Sequence, residues 1–530
     1  MKTAAASPPP RVGPQAAWGR LSPRWRAALA VLATAGFTAL AAPPLGVSPF
    51  ALIALAPLAW LLDRTTSWPR ALLAGLATSA LTTALVFHWV PGAVEAFFKL
   101  PPIASWAVFP LYAAIAQPQL AIWAVVRWRW RHRTGAHALV ASAALYAGLD
   151  WLLPKLFQDT LGVAFVGDLW VIQVADLGGL YVLTFAAVLV GEVVAAVALH
   201  RRRALGGAIV AGALWAAILL YGAVRSRQVG DAQRAAPTLS VGVVQANIGN
   251  VTKEIAARGD VDGIIHTLKA YGELSDQLTT GLPEGAVAPQ LLVWPETAYP
   301  LAYGAHRSSL DDDVDQELTT FVRERGVPLL FGGYRRSGEV EYNSALLLDA
   351  DGELAEYHKF HLIPFGEYIP LLGRARFGVG GAPRVLDLKL AAPARVIRLG
   401  PIICYESLIP GHAAAAVDAG AQALVNLTND SWFLSRAEKE LHLAMAAVRS
   451  VETRRAQVRA TNTGISALIL PTGEIRERGP IDAPGALRYE VPLLDAGPTL
   501  AVRFGAWTGP AGLLLWALAL ALGARRRSST

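Results

Sequence analysis

The residues able to do chemistry lie in three short stretches. Gly400-Pro401-Ile402-Ile403-Cys404-Tyr405-Glu406-Ser407 holds the only cysteine among 530 residues and sets it at the end of an apolar run, where a buried strand delivers a side chain to a site. Leu291-Leu292-Val293-Trp294-Pro295-Glu296 ends a second run in a carboxylate, and Pro295 stops that strand and turns the chain. A third run closes on His358-Lys359, ahead of Pro364-Phe365-Gly366-Glu367-Tyr368. Taken singly, each has a bland reading: a thiol in such a place is more often a small core hydrophobe, Glu296 a solvated carboxylate after a turn, and Lys359 a surface lysine. Taken together they permit acyl chemistry. A thiol must become a thiolate before it attacks an acyl carbon, so a base has to lie within hydrogen-bond reach. An ammonium beside the pair would offset the repulsion between thiolate and carboxylate and donate to the oxyanion of a tetrahedral intermediate. The spacing of Glu367 lets the chain double back toward the same pocket. A Cys-His pair is the rival: His358 and His361 flank Lys359, and His442 lies on a helical stretch after Trp432, but none sits alone at a strand end as Glu296 does. There is no zinc spacing, phosphate-binding glycine loop, dinucleotide fingerprint or Gly-x-Ser-x-Gly elbow, so neither a metal nor a cofactor is expected.

Strands must present those stretches. From Thr238 the composition is that of a soluble α/β domain, with strands predicted over residues 239–245, 291–294, 327–331, 344–349, 396–404, 423–427, 457–461 and 465–470. Asp349-Ala350-Asp351-Gly352 and Pro471-Thr472-Gly473-Glu474 read as hairpin turns. Ile264, Ile265, Leu268 and Leu274 form a rough helical stripe over 261–279. Short-loop and helix-crossed strands repeat twice across about 250 residues, without any repeat in sequence, and predict two packed sheets with outer helices.

The rest of the chain belongs to a membrane. At 54% hydrophobic residues and a mean hydropathy of +0.39, the protein is too apolar to be soluble throughout. Residues 1–24 read as a basic tail. Apolar spans follow at about 26–42, 48–62, 71–90, 104–126, 137–153, 179–199 and 205–223, with an eighth at about 507–523. Arg20, Arg24 and Arg26, then Arg64 and Arg70, Arg127 to Arg133, Arg201 to Arg203, and Arg525 to Arg527 fall in every second loop. Under the positive-inside rule these loops and both termini are cytoplasmic, and the long stretch between spans seven and eight lies outside. The net charge of +7 is thus a topology signal rather than a nucleic-acid footprint. Ala39-Leu40-Ala41 also resembles a signal-peptide cleavage site, though the leader would be long. Residues 91–103 read as an outer loop, 154–178 as a segment too apolar for a plain loop that packs on the large domain or lies in the interface, and 224–236 as a polar linker. Glu192 reads as a helix-packing or snorkelling carboxylate, and Gln117 and Gln119 beside Pro118 as a locally opened helix.

The catalytic stretches resemble the Glu-Lys-Cys triad of the nitrilase (carbon-nitrogen hydrolase) superfamily, and one branch in particular, the apolipoprotein N-acyltransferases of bacterial inner membranes. The matching segments include Val244-Gln245-Ala246-Asn247-Ile248, Trp294-Pro295-Glu296-Thr297-Ala298, Tyr342-Asn343-Ser344, Leu362-Ile363-Pro364-Phe365-Gly366-Glu367-Tyr368-Ile369-Pro370, Ile403-Cys404-Tyr405-Glu406 and Thr428-Asn429-Asp430-Ser431-Trp432-Phe433. The resemblance implies a transmembrane bundle of about eight helices (25–224 and 505–530) and an extracytoplasmic α-β-β-α sandwich (237–495). It implies Glu296 as general base, Lys359 as oxyanion stabiliser and Cys404 as nucleophile, with Glu367, Tyr405 and Glu406 as further residues needed for activity. The reaction it implies moves an acyl chain from a phospholipid, through a Cys404 thioester, to the α-amine of a diacylglyceryl-cysteine on an apolipoprotein, catalysed by a monomer without cofactor. One departure stands out: where the family commonly has a proline and then a tryptophan, this chain reads Gly249-Asn250-Val251-Thr252-Lys253-Glu254. A membrane-tethered amidase and a transporter with an outer domain are the rival readings.

The alternating arginines are directly testable. In a Cys404→Ala background, a membrane-impermeant maleimide should label Ser308→Cys in intact cells and leave Arg131→Cys unlabelled; the reverse pattern overturns the topology.

Overall fold

The computed structural model describes residues 22–132, 135–249, 260–282, 284–369, 373–391 and 393–528. Its catalytic half contains two six-stranded sheets of matching design. One runs β14-β1-β2-β3-β4-β5 and the other β13-β12-β11-β10-β9-β8, while β6 (Tyr368–Ile369) and β7 (Arg374–Ala375) pair as a separate two-stranded ribbon. In the first, β1 (Thr238–Gln245), β2 (Leu291–Val293) and β3 (Leu329–Ser337) are parallel, flanked by antiparallel β14 (Gly485–Pro492) on one side and by β4 (Val340–Leu348) and β5 (Leu354–His358) on the other. In the second, β9 (Ala394–Ile403), β10 (Ala423–Thr428) and β11 (Ala456–Thr461) are parallel, flanked by antiparallel β8 (Leu386–Ala391) and by β12 (Ala467–Ile469) and β13 (Ile475–Arg476). The inner faces meet in one apolar layer that takes Val241 and Val243 from β1, Val293 from β2, Ile397 and Leu399 from β9, and Val425 and Leu427 from β10. Helices Val261–Thr279 and Ser309–Arg325 cover the first sheet, and Pro410–Asp418 and Arg436–Thr453 the second.

Strand ends differ from the sequence reading where one face is solvated. The strand expected at 327–331 begins at Leu329 and runs on to Ser337, and the one expected from Ser344 begins at Val340, because their exposed polar ends still pair with each other. β8 and β14 are not among the expected strands; Asp387, Lys389, Arg488 and Glu490 alternate outward along them and dilute the apolar signal.

Among the described residues, four helices are long and apolar enough to cross a membrane: Trp68–Val86, Pro102–Arg129, Tyr181–Leu199 and Ala204–Ala235. Pro23–Ala41, Ala136–Leu152 and Thr508–Ser528 pack with them, and the expected second span is broken into Pro49–Ile53 and Ala56–Arg64. Helical bonding continues from Tyr181 to Ala235, yet Trp215 Nε1 donates to the Ala186 carbonyl at 3.2 Å, 29 residues away. A straight helix would separate these two by about 43 Å, so the chain folds back between them as two antiparallel spans.

Four expectations are amended. Residues 91–103 do not form a plain loop: Val90–Phe98 is a helix whose Phe97 stacks on Trp432. Residues 224–236 do not form a linker but continue the helix to Ala235. Arg127 is no loop cation. It is buried, with Nε 2.9 Å from Glu192 and Nη1 2.5 Å from Asp63. Glu192 therefore takes the helix-packing role rather than snorkelling; it also accepts from Ser142 Oγ at 2.6 Å. Removing one partner of such a group leaves an uncompensated buried charge, at a typical cost of about 3–5 kcal/mol. The opened helix at Gln117 is present, with its amide donating to Asp159 at 2.7 Å and its backbone N–H to Ser79 at 3.2 Å.

The 154–178 segment docks the two halves. Arg454 reaches Asp176 at 2.8 Å and the Gln173 side chain at 2.7 Å, while Gln173 donates to the Thr472 carbonyl at 2.8 Å. Asp176 also accepts from Tyr221 and Arg225 of the last span before the catalytic domain, so one buried carboxylate ties membrane helix, docking segment and sheet domain together.

Candidate active site

Each of the three polar strand ends meets the others. Ile403 closes β9, and Cys404 takes φ +49°, a left-handed conformation that a non-glycine residue holds only when its surroundings impose it. Glu406 does the imposing. Its Oε2 accepts from Ile403 N at 2.8 Å, and its Oε1 from Phe360 N at 2.7 Å, His361 N at 3.1 Å and Tyr357 Oη at 2.6 Å. One buried carboxylate thus fastens the chain beneath Cys404 to the chain just past Lys359. Glu406 does not line the cleft in which the thiol sits; it braces the elbow from beneath. Tyr405 likewise faces the membrane half, donating to the Leu156 carbonyl at 2.7 Å.

Glu296 follows Pro295 beyond β2, in backbone that packs directly on Gly332 of β3. A Cβ at position 332 would sit 2.5 Å from Glu296 Cα and from the Pro295 carbonyl, so only glycine lets the Glu296 turn lie there. Lys359 N donates to the Asn343 carbonyl at 2.8 Å, extending the β4–β5 hairpin just far enough to bring the Lys359 and Asn343 side chains to the same end. Lys359 is 1% exposed and has two carboxylate partners, Glu367 at 2.9 Å and Glu296 at 3.4 Å. Glu367 is held in turn by Ile363 N at 2.9 Å. Asn343 Nδ2 donates to Glu296 at 2.8 Å and lies 3.3 Å from Glu367, so it orients both carboxylates. Asn343 belongs to a matching segment but not to the site residues the sequence implies; its place depends on the hairpin register, which the local sequence does not display.

Electrostatics follow from this packing. Burial alone would discharge Lys359, but Glu367 and then Glu296 outweigh it and hold the ammonium charged well above its ordinary range. Burial, and next Glu296, push the Cys404 thiol well above its usual range, and Lys359 only partly pulls it back. Cys404 therefore rests as a thiol beside a carboxylate, and a thiolate forms only if its proton moves away. Cys404, Glu296, Lys359, Glu367 and Asn343 line one cleft of about 1540 Å³, whose rim carries Phe97 and Lys99 from the membrane half. On its other side Cys404 borders an apolar cavity of about 390 Å³ lined by Trp89, Phe157, Phe433 and Met445. His442 does not form the rival Cys-His pair, because its ring nitrogens face Ser407 and Asp430. His358 bonds Ser344, and His361 packs against His412. Residues 250–254, which replace the family tryptophan, fall outside the described residues.

A cysteine at a strand-end elbow with two carboxylates and one lysine in a shared cleft, on a paired-sheet sandwich, defines the carbon-nitrogen hydrolase class, and residues 240–499 match the carbon-nitrogen hydrolase family model. Residues 34–193 match the model of the apolipoprotein N-acyltransferase N-terminal domain. Along nearly its full length the chain is similar to apolipoprotein N-acyltransferases: 31% identical to that of Gloeobacter violaceus, over 94% of this chain and 95% of the relative, and 30% identical to those of Bdellovibrio bacteriovorus (91% and 92%) and Bradyrhizobium diazoefficiens (96% and 96%). An amidase from Nesterenkonia sp. aligns with 48% of this chain and 91% of its own, at 22% identity and a TM-score of 0.36. The chain belongs to the apolipoprotein N-acyltransferase family and is an acyltransferase with a carbon-nitrogen hydrolase domain and several membrane helices.

The thiol's resting state can be measured without substrate. Alkylation of Cys404 by iodoacetamide should rise with pH only beyond the ordinary thiol value of about 8.5. Glu296→Gln should move that titration down and Lys359→Met should move it up; a wild-type midpoint below about 8 contradicts the electrostatics described.

Proposed function

We propose that this protein transfers an acyl chain from a membrane phospholipid to the α-amine of the N-terminal diacylglyceryl-cysteine of apolipoproteins, with Cys404 as nucleophile, Glu296 as general base and Lys359 as oxyanion stabiliser. Glu296 takes the thiol proton as sulfur attacks the ester carbonyl, and the Lys359 ammonium donates to the developing oxyanion. Collapse breaks the ester C–O bond; the departing lysophospholipid oxygen receives the proton from Glu296 and leaves a thioester on Cys404. The α-amine then attacks the thioester carbonyl. Its proton passes to Glu296, the C–S bond breaks, and the proton returns to sulfur as the amide leaves. An α-amine with a pKa near 8 is already partly neutral, so modest base help suffices.

Glu367 and Asn343 support this cycle by holding Lys359 charged and Glu296 oriented. The observation that carries the lipid reading over a water-using amidase is the composition of the site's walls: Phe97 and Lys99 border the cleft, and Trp89 and Phe157 border the apolar cavity, all four from the membrane half. A substrate dissolved in water needs no such wall. Both proposed substrates are anchored in lipid, and a domain fixed at the interface meets them by lateral diffusion. With this goes the topology of eight spans, both termini cytoplasmic and the catalytic domain outside, in a bacterial inner membrane.

Purified protein incubated with phospholipid and no acceptor should gain the mass of one acyl chain, removable by neutral hydroxylamine. Cys404→Ala should lack the adduct, and Glu296→Gln should form it about 10²- to 10⁴-fold more slowly. An adduct of normal yield on folded Cys404→Ala places the nucleophile elsewhere.

A further inference from the structure

Behind the Cys404 elbow lies a polar chain that the cycle above does not use. Ser407 Oγ is 2.8 Å from the Cys404 carbonyl and 2.9 Å from His442 Nε2; His442 Nδ1 is 3.0 Å from Asp430 Oδ1, and Asp430 Oδ2 is 2.9 Å from Arg459 Nη2. Each of these residues except Cys404 is buried. They come from four elements: the turn Cys404–Leu408, the turn Asp430–Trp432, the helix Arg436–Thr453 and β11. We propose that His442 is a positioning residue for the Cys404 nucleophile, acting through Ser407, and that it grips the elbow more firmly when it carries a second proton.

The argument is a count of protons. Arg459 fixes Asp430 as a carboxylate, so His442 Nδ1 carries a hydrogen to face it. A neutral imidazole then presents Nε2 as an acceptor, and Ser407 has one hydroxyl hydrogen for two acceptors, Nε2 and the Cys404 carbonyl. Three links need three protons, and neutral His442 with Ser407 supplies two. Imidazolium supplies the third: Nε2–H donates to Ser407, and Ser407 gives its hydrogen wholly to the Cys404 carbonyl. That carbonyl belongs to the residue held at φ +49°, so its hydrogen bond governs the direction of the sulfur.

The groups facing His442 set when this happens. Burial, and next Arg459, lower its affinity for a proton, while Asp430 and the Cys404 backbone raise it, with a net shift below the ordinary range. Glu438, on the same helix, lies 3.7 Å from Nδ1; burial and then Asp430 hold it well above the carboxylate range, so it is a neutral acid beside the ring. The nearby Lys439 is paired with Asp482 at 2.5 Å. His442 is thus neutral at pH 7 to 8 and takes its second proton only below its usual value of about 6.5.

This inference rests on Cys404 being the nucleophile, and one experiment separates the two claims. The single-turnover rate of acyl-Cys404 formation is measured against phospholipid concentration at pH 8 and pH 5.5, for wild type, Ser407→Ala, Ser407→Thr and His442→Gln. Absence of the adduct in wild type defeats the nucleophile assignment itself. If it forms, Ser407→Ala should lower the saturating rate about five- to tenfold with little change in the half-saturating concentration, and Ser407→Thr should restore most of the rate. Effects of pH common to both proteins cancel in the ratio of wild-type to Ser407→Ala rates, and that ratio should be larger at pH 5.5 than at pH 8. His442→Gln should abolish the pH dependence of its own ratio to Ser407→Ala. A pH-independent wild-type ratio, or a Ser407→Ala rate equal to wild type, overturns the proposal. Should Ser407→Ala fail to fold, the ratio of wild type to His442→Gln carries the same test.

Discussion

A single buried ammonium organises the catalytic half. Lys359 is almost wholly enclosed, and an isolated charge in that position would be prohibitively costly. Two carboxylates at 2.9 and 3.4 Å make it tolerable, and each brings its own supports: Glu367 the turn back to Ile363, Glu296 the proline turn over Gly332, and Asn343 a hydrogen bond to Glu296. The result is a site with one negative charge to spare and a thiol next to it. Burial, and next the Glu296 charge, keep the thiol protonated at rest, so the site does not hold a permanently reactive thiolate.

The elbow and the hairpin are tied together from below. Glu406 collects four donors from the chain around Cys404 and Lys359, so the thiol and the ammonium cannot move apart without stranding a buried carboxylate. Tyr405 carries the same rigidity into the membrane half through Leu156, and Asp176 does so at the far end of the docking segment. Positioning of the cleft against the membrane helices is therefore built into the same network that positions the sulfur.

Much of this was legible from residue types at strand ends. Glu296, Lys359 and Cys404 each follow an apolar run, and although each alone has a bland reading, three such residues at three strand ends point to one site. Glu367 was legible because a four-residue turn returns it to the start of its own segment. The place of Asn343 was not, since it reaches the site through hairpin register, which leaves no local mark. Tyr405 and Glu406 enter only through the family resemblance; the turn Cys404–Leu408 sets Glu406 beneath the elbow and Tyr405 against the cavity beside Cys404, an arrangement that strand periodicity does not foresee. Arg127 shows the limit of charge counting: an arginine at a helix end reads as a loop cation until its partners Asp63 and Glu192, 64 and 65 residues away, are seen beside it. The doubled design of the two sheets is likewise a repeat of topology with no repeat of residues.

The central claim is that the acyl group passes from Cys404 to an amine rather than to water. Acyl-enzyme carrying a radiolabelled chain, freed of phospholipid and then mixed with a diacylglyceryl-cysteine peptide, measures this directly. The label should move to the peptide with a free α-amine as fast as it leaves the protein, and should stay on the protein with the N-acetylated peptide. Release of labelled free fatty acid at one rate with either peptide, or with none, would contradict it and identify a hydrolase.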